Sequence, residues 1–298
     1  MADHDIELKS SYTDAPNWFR GNLHTHTTRS DGSRPPEEVI TDYEARGYDF
    51  LAISDRDVLV ALDGYQKDTS MTLIPAVEVS AQGPHILQVN ATARIEPDAD
   101  RHRVVDEIKE QDAVCVLNHP NWGTHFNHFP HELMESLEGY HGIEIYNGVI
   151  ERLLGSALAT DRWDRLLAKG RVVWGFAHDD SHQPMDVELA WNVVQAENCT
   201  IGEIIAALKA GRFYASTGVT ITHVGTDGTT IHIETKDAQR IRFLSQSGVI
   251  QSTVDAPEAT YTVSGDPDEV LKFRYIRAEC HGVGGRVAWT QPIFIQES

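Results

Sequence analysis

"WFRGNLHTHTTRSDGSRPPEEVITDYEARGYDFLAISDRD", residues 18–57, reads as strand, helix, strand. "WFRGNLHTH" is the first strand. "PPEEVITDYEARG" puts Pro36 and two glutamates in a first helical turn, lines Val39, Ile40 and Tyr43 along one face, and stops at Gly47. "YDFLAISD" is a short continuous apolar run, as expected of a strand buried on both faces. Strand, helix and strand in that order predict a parallel βα unit, hence an α/β fold.

The alternation continues along the chain. Further strands are expected at 71–80, 85–90, 113–120, 142–147, 171–180 and 190–196, with helices at 101–111, 151–170 and 201–212. Past about Thr217 the pattern changes to short alternating segments separated by Gly, Asp and Pro. This predicts an all-β module of five or six strands, a small sandwich. The expected division is 1–216 and 217–298.

Composition narrows the function. A net charge of -20 over 298 residues argues against a nucleic-acid duplex or an anionic membrane surface as the main partner. Cys115, Cys199 and Cys280 are too far apart for a metal knuckle or a disulfide framework. The polar, acidic start and the lack of any membrane-length apolar run make a cytoplasmic protein the expectation.

Polar residues of metal-ligand type recur where the apolar strands finish. His24 and His26 alternate on one strand face, and two imidazoles side by side suit zinc, manganese or iron. Asp31 follows them. Asp55 and Arg56 follow "FLAI", Glu78 follows "LIPAV", His85 opens "HILQV", and His119 follows "AVCVLN". Glu144 lies in "GIEIYN". In "HDDSH", His178, Asp180 and His182 share one face and Asp179 takes the other. Strand ends of parallel α/β folds converge on one rim, so these groups are expected to meet there.

The ordered motifs "HTH", "SDG", "AISDRD", "VEVS", "NHP" and "DDSH", over about residues 19–195, resemble the polymerase and histidinol phosphatase (PHP) family. "HPNW", "GRFYASTG" and "GRVAWTQPIF" resemble its branch that includes carbaryl-type hydrolases. The resemblance implies a distorted (β/α)7 barrel that holds two or three divalent metals and hydrolyses phosphoesters, or in some branches other esters. It also implies metal ligation by His24, His26, Asp31, Glu78 as bridging carboxylate, His85, His119, Asp180 and His182. Glu144 and Asn147 are rim residues to which it gives no ligand role. Where the family usually has Asp-His, this chain has Asp55-Arg56. A guanidinium stays charged and offers no lone pair, which puts a third metal in question.

The chemistry expected of such a set is hydrolysis by a metal-activated hydroxide. A shared carboxylate holds two cations roughly 3.5 to 4 Å apart, where they lower the pKa of a common water. Glu78, Arg56, Asp55 and Asp179 are the candidate catalytic groups, with Arg56, His125 and Trp122 as substrate contacts. The substrate expected is a small anionic ester, favouring phosphodiesters. The alternatives are a carbamate or carboxylic ester hydrolase on the same metals, and a non-catalytic metal-binding or regulatory protein.

Overall fold

The computed structural model describes residues 6–265 and 270–297. After β1 (Ile6–Lys9), the stretch that decides the fold forms β2 (Asn17–Asn22), α1 (Pro36–Ala45) and β3 (Phe50–Ile53). Val39, Ile40 and Tyr43 are the buried face of α1, and Gly47 takes φ 74° just past its end. β2 and β3 pair in parallel with Gly21 opposite Phe50. A Cβ at Gly21 would lie 2.1 Å from the Phe50 ring, so only glycine fits there.

The following elements are α2 (Asp63–Gln66), β4 (Thr72–Val79), β5 (Ile86–Val89), α3 (Arg101–Glu110), β6 (Val114–Leu117), α4 (His131–Ser136), β7 (Gly142–Asn147), α5 (Thr160–Ala168), β8 (Trp174–His178), β9 (Trp191–Ala196), α6 (Ile201–Ala210) and β10 (Phe213–Ser216). Strands β2 to β8 lie side by side in chain order, a mixed α/β arrangement. The pairing is parallel except at β4–β5–β6, which is antiparallel because the link 80–85 is too short to carry a crossover helix. β9 flanks β2 on the other side.

The outer edge of β8 is satisfied by side-chain amides. Asn192 of β9 accepts from the Ala177 N–H (3.1 Å) and donates to the Ala177 carbonyl (2.9 Å). Gln291 does the same for Gly175, at 2.8 Å both ways. Two amides thus stand in for a backbone ladder between β8 and its neighbours.

The helix expected over 151–170 is only α5. Gly155 has φ 112°, and a Cβ there would sit 2.3 Å from the Asn121 carbonyl. Residues before α5 pair with the loop after β6 instead, through the Trp122 and Gly155 bridge.

The C-terminal part contains β11 (Ile221–Asp227), β12 (Thr230–Thr235), β13 (Arg240–Ser245), β14 (Val249–Val254), β15 (Glu258–Thr262), β16 (Tyr275–His281), β17 (Val287–Thr290) and β18 (Ile293–Glu297). Eight strands stand where five or six were expected, because three of the alternating segments, 221–235, 239–250 and 285–296, each hold parts of two strands. β11, β12 and β15 form a separate sheet, while β17 joins β10 and carries the large sheet across residue 216. Ile221, Ile233, Phe243 and Ile276 belong to one apolar core between these layers. β1, from the polar start of the chain, pairs with β18 and buries Leu8.

Arg277 of β16 fastens this part to α5. Its Nε and Nη2 donate to the two oxygens of Asp164 at 2.8 and 2.7 Å, and the Tyr275 hydroxyl adds a bond of 2.9 Å. Among the described residues, no helix is long and apolar enough to cross a membrane.

Candidate active site

The strand ends do meet. His24 and His26 follow β2, Arg56 follows β3, Glu78 is on β4, His119 follows β6, Glu144 is on β7, and Asp180 and His182 follow β8. His85 reaches the same rim from the start of β5, because that strand runs in the opposite direction. Backbone bonds fix the pieces to one another: His26 N–H to the Ser181 carbonyl (3.0 Å), Ser54 N–H to Thr25 (2.9 Å) and Glu78 N–H to Ser54 (3.1 Å). His119 (φ 29°) and Asp180 (φ 52°) hold the left-handed backbone that side-chain residues rarely adopt, a strain typical of functional positions.

Glu78 is the hub. Its Oε1 lies 3.2 Å from His24 Nε2, 3.0 Å from His85 Nδ1 and 3.2 Å from His119 Nε2. Its Oε2 lies 3.6 Å from His26 Nε2. Asp180 Oδ1 lies 3.2 Å from His24 Nε2 and 3.0 Å from His26 Nε2. Glu144 sits behind: it meets His24 Nδ1 at 2.6 Å and His178 Nδ1 at 2.7 Å, and accepts from the His119 N–H at 2.6 Å. Holding the Nδ1 proton of His24 on a carboxylate leaves the Nε2 lone pair facing Glu78 and Asp180.

These residues fit divalent cations. Glu78, Glu144 and Asp180 are buried together, and among the described residues Arg56 is the one guanidinium ion-paired with any of them. Uncompensated buried carboxylates are costly. Burial alone would lower the His24 pKa, but Asp180, Glu144 and Glu78 hold it well above the usual imidazole value, so the site draws in positive charge. His24 Nε2, His26 Nε2 and Asp180 Oδ1 are buried without hydrogen-bond partners, although the oxygen lies 3.2 and 3.0 Å from the two nitrogens. Metal-sized groups of donors occur at His24, His26 and Glu78, at His24, His119 and Asp180, and at His85, His119 and His128. Burial pushes the His85 pKa down, and burial with the neighbouring His119 and His85 pushes His128 down to about 2.

Arg56 turns inward. Its Nε donates to Asp31 Oδ2 at 2.7 Å and its Nη1 to Glu78 Oε2 at 2.6 Å, while Nη2 is 3.3 Å from His182 Nε2. The guanidinium therefore touches both Asp31 and His182, which also meet each other at 3.4 Å and form a further group of close donors with His26. The neighbouring Asp57 accepts from Ser80 and Ala81 and takes no part in this contact.

Two expected catalytic carboxylates are placed apart from the cluster. Asp55 takes bonds from Thr27 N–H (2.8 Å), Thr27 Oγ1 (2.7 Å) and Ser30 Oγ (2.6 Å), which hold the turn bearing Asp31. Asp179 accepts from Tyr43 and from the backbone N–H groups of Glu188, Leu189 and Ala190, with burial pushing its carboxyl up to about 6 against those bonds. His125 is exposed, and it is His128 that turns in, its Nε2 accepting from the His85 N–H at 3.1 Å. Glu144 was expected on the rim with no ligand role, and it stands there behind His24; Arg152 was not expected at the site and carried no local signal for it.

Beside the cluster opens a cavity of about 610 Å³. Asp31, Arg56, His85, His119, Asp180 and His182 line it, as do Trp122 and Arg152.

No protein-family model matches the chain. A 75-residue segment is 35% identical to a 5'-3' exoribonuclease of Haemophilus influenzae, matching 23% of this chain and 27% of that protein. The match thus spans about a quarter of the relative's length. A lesion-specific endonuclease of Pyrococcus furiosus is similar over 65% of this chain and 56% of its own, at 15% identity and a TM-score of 0.47. A two-domain protein of Bacteroides vulgatus, described as containing a predicted PHP-like metal-dependent phosphoesterase, is similar over 100% of this chain and 92% of its own, at 16% identity and a TM-score of 0.56. The chain therefore shares the fold of that two-domain protein along its whole length.

Proposed function

We propose that the chain is a metal-dependent hydrolase of the PHP type, a phosphoesterase that favours phosphodiesters. In this reading β2 to β8 are a distorted (β/α)7 barrel with a seam closed by Asn192 and Gln291, and residues 217–298 form a sandwich-like module. His24, His26, Glu78 and Asp180 would hold one divalent cation, and Glu78, His85 and His119 a second. Two cations there supply Lewis acidity and a water activated at neutral pH. Glu144 keeps His24 in the ligating tautomer, and Glu78 serves both positions. Arg56 brings a fixed positive charge to the floor of the cavity, able to hold a non-bridging phosphoryl oxygen and to stabilise charge developing on it.

The observation that carries the preference is the inward guanidinium of Arg56, 2.7 Å from Asp31. It contributes one positive charge where a third cation would contribute two, which matches a diester monoanion better than a monoester dianion. A carbamate or carboxylic ester could use the same cluster, but the Arg56 and Arg152 side chains lining the cavity favour an anion. Three free thiols accord with a reducing compartment such as the cytoplasm.

Kinetics with matched aryl mono- and diesters test the preference. The unaltered chain is expected to be faster on the diester. Arg56→His is expected to bind an additional cation and to gain monoesterase activity. A native enzyme clearly faster on the monoester, or an Arg56→His variant unchanged in both metal content and preference, would refute the reading.

A further inference from the structure

The cavity has two unlike parts. Its floor is the charged cluster, and its wall is Trp122, Val149, Ile150 and Leu153. Hydrolysis of a phosphoryl ester needs no apolar wall, so the wall calls for its own explanation.

It is built on fastened backbone. Gly123 N–H bonds the Leu154 carbonyl at 2.8 Å and Ser156 N–H bonds that of Asn121 at 3.0 Å, lacing the loop after β6 to the segment before α5. Arg162 ties the first of these loops through Asn121 Oδ1 (2.9 Å) and the Phe126 carbonyl (2.7 Å). Arg152 grips Asp186 with two bonds of 2.7 and 2.8 Å, joining the 148–152 turn to the 184–186 turn. Among the described residues nine large apolar side chains are exposed, and five of them, Phe126, Leu153, Leu154, Leu158 and Met185, lie on these three segments. Single exposed apolar groups are ordinary, but Leu153 among them lines the cavity itself, with Trp122 and Ile150, and gives it an apolar face held on tied backbone.

We infer that the substrate pairs one anionic phosphoryl centre with a bulky apolar substituent, the size of a phenyl ring or larger, seated against Trp122, Ile150 and Leu153. This rests on the phosphoesterase reading of the same cavity. The wall adjoins the floor, so the charged centre and the apolar group are parts of one molecule. A substituent that leaves water for this wall gains binding in proportion to its apolar area, which a methyl group cannot match.

Two diesters with the same 4-nitrophenolate leaving group, one carrying a methyl and one a phenyl spectator group, test this on the metal-loaded chain. The phenyl diester is expected to have a kcat/KM at least tenfold higher. Leu153→Ser is expected to shrink that ratio to threefold or less, whereas Val283→Ser, an exposed position in the C-terminal part, leaves it as it was. Calorimetric binding of phenylphosphonate against methylphosphonate gives a readout free of turnover, with the same tenfold preference and the same loss in Leu153→Ser. If neither diester is cleaved but phenylphosphonate keeps its Leu153-dependent advantage, the phosphodiesterase reading falls and the apolar subsite stands. Equal binding of the two phosphonates, no binding of either, or a ratio indifferent to Leu153→Ser overturns the inference.

Discussion

Glu78→Gln is expected to lower turnover of an aryl phosphodiester by at least three orders of magnitude, about 4 kcal/mol of transition-state stabilisation. The substitution keeps the size of the side chain. It removes the one charge that faces His24, His85 and His119 together, at 3.0 to 3.2 Å. Without it two cations placed side by side repel each other across a neutral amide. Metal analysis is expected to show fewer bound ions per chain, and thermal unfolding to show that the fold persists. His223→Ala, on exposed surface of β11, serves as the control and is expected to leave turnover near normal. Equal effects from the two substitutions would move the active site away from this cluster.

The second large effect is on stability. Asp164→Asn removes the carboxylate that receives two bonds from the buried Arg277, leaving Glu279, 2.7 Å from Nη1, as that guanidinium's remaining acidic partner. Stranding a buried charge costs about 3–5 kcal/mol, and the remaining Glu279 places the expectation near about 3. Calorimetry is expected to show a lower unfolding midpoint. Adding Arg277→Met in the same background removes the stranded charge and is expected to restore most of the loss. A double variant no more stable than Asp164→Asn would mean that the contact matters through shape and not through charge.

Much of the site was legible because two regularities act together. Apolar runs marked the buried strands, and polar ligand types at their ends marked the rim, so residues as distant as His24 and His182 could be brought together from the sequence. What escaped had physical reasons. "IELK" of β1 buries only Leu8, and its partner strand lies at the other end of the chain, so no local pattern revealed it. Leu153, Leu154 and Leu158 have helical spacing but stand exposed on an irregular segment, which made residues 151–159 resemble an amphipathic helix. Within "THFNHFPH" nothing local distinguishes His125 from His128, since the fold of the loop decides which ring turns inward. The inability of Arg56 to ligate a metal followed from its chemistry alone. Its seat between Asp31 and Glu78 depended on where three separate strands end.

The most direct test is a titration of metal-stripped chain with zinc or manganese, in which turnover of an aryl phosphodiester is followed against equivalents of ion bound. The stripped chain is expected to show no turnover, and activity is expected to rise with added metal and to break at two ions per chain. Full activity without metal, a break at three ions, or no turnover under any loading would contradict the two-metal reading.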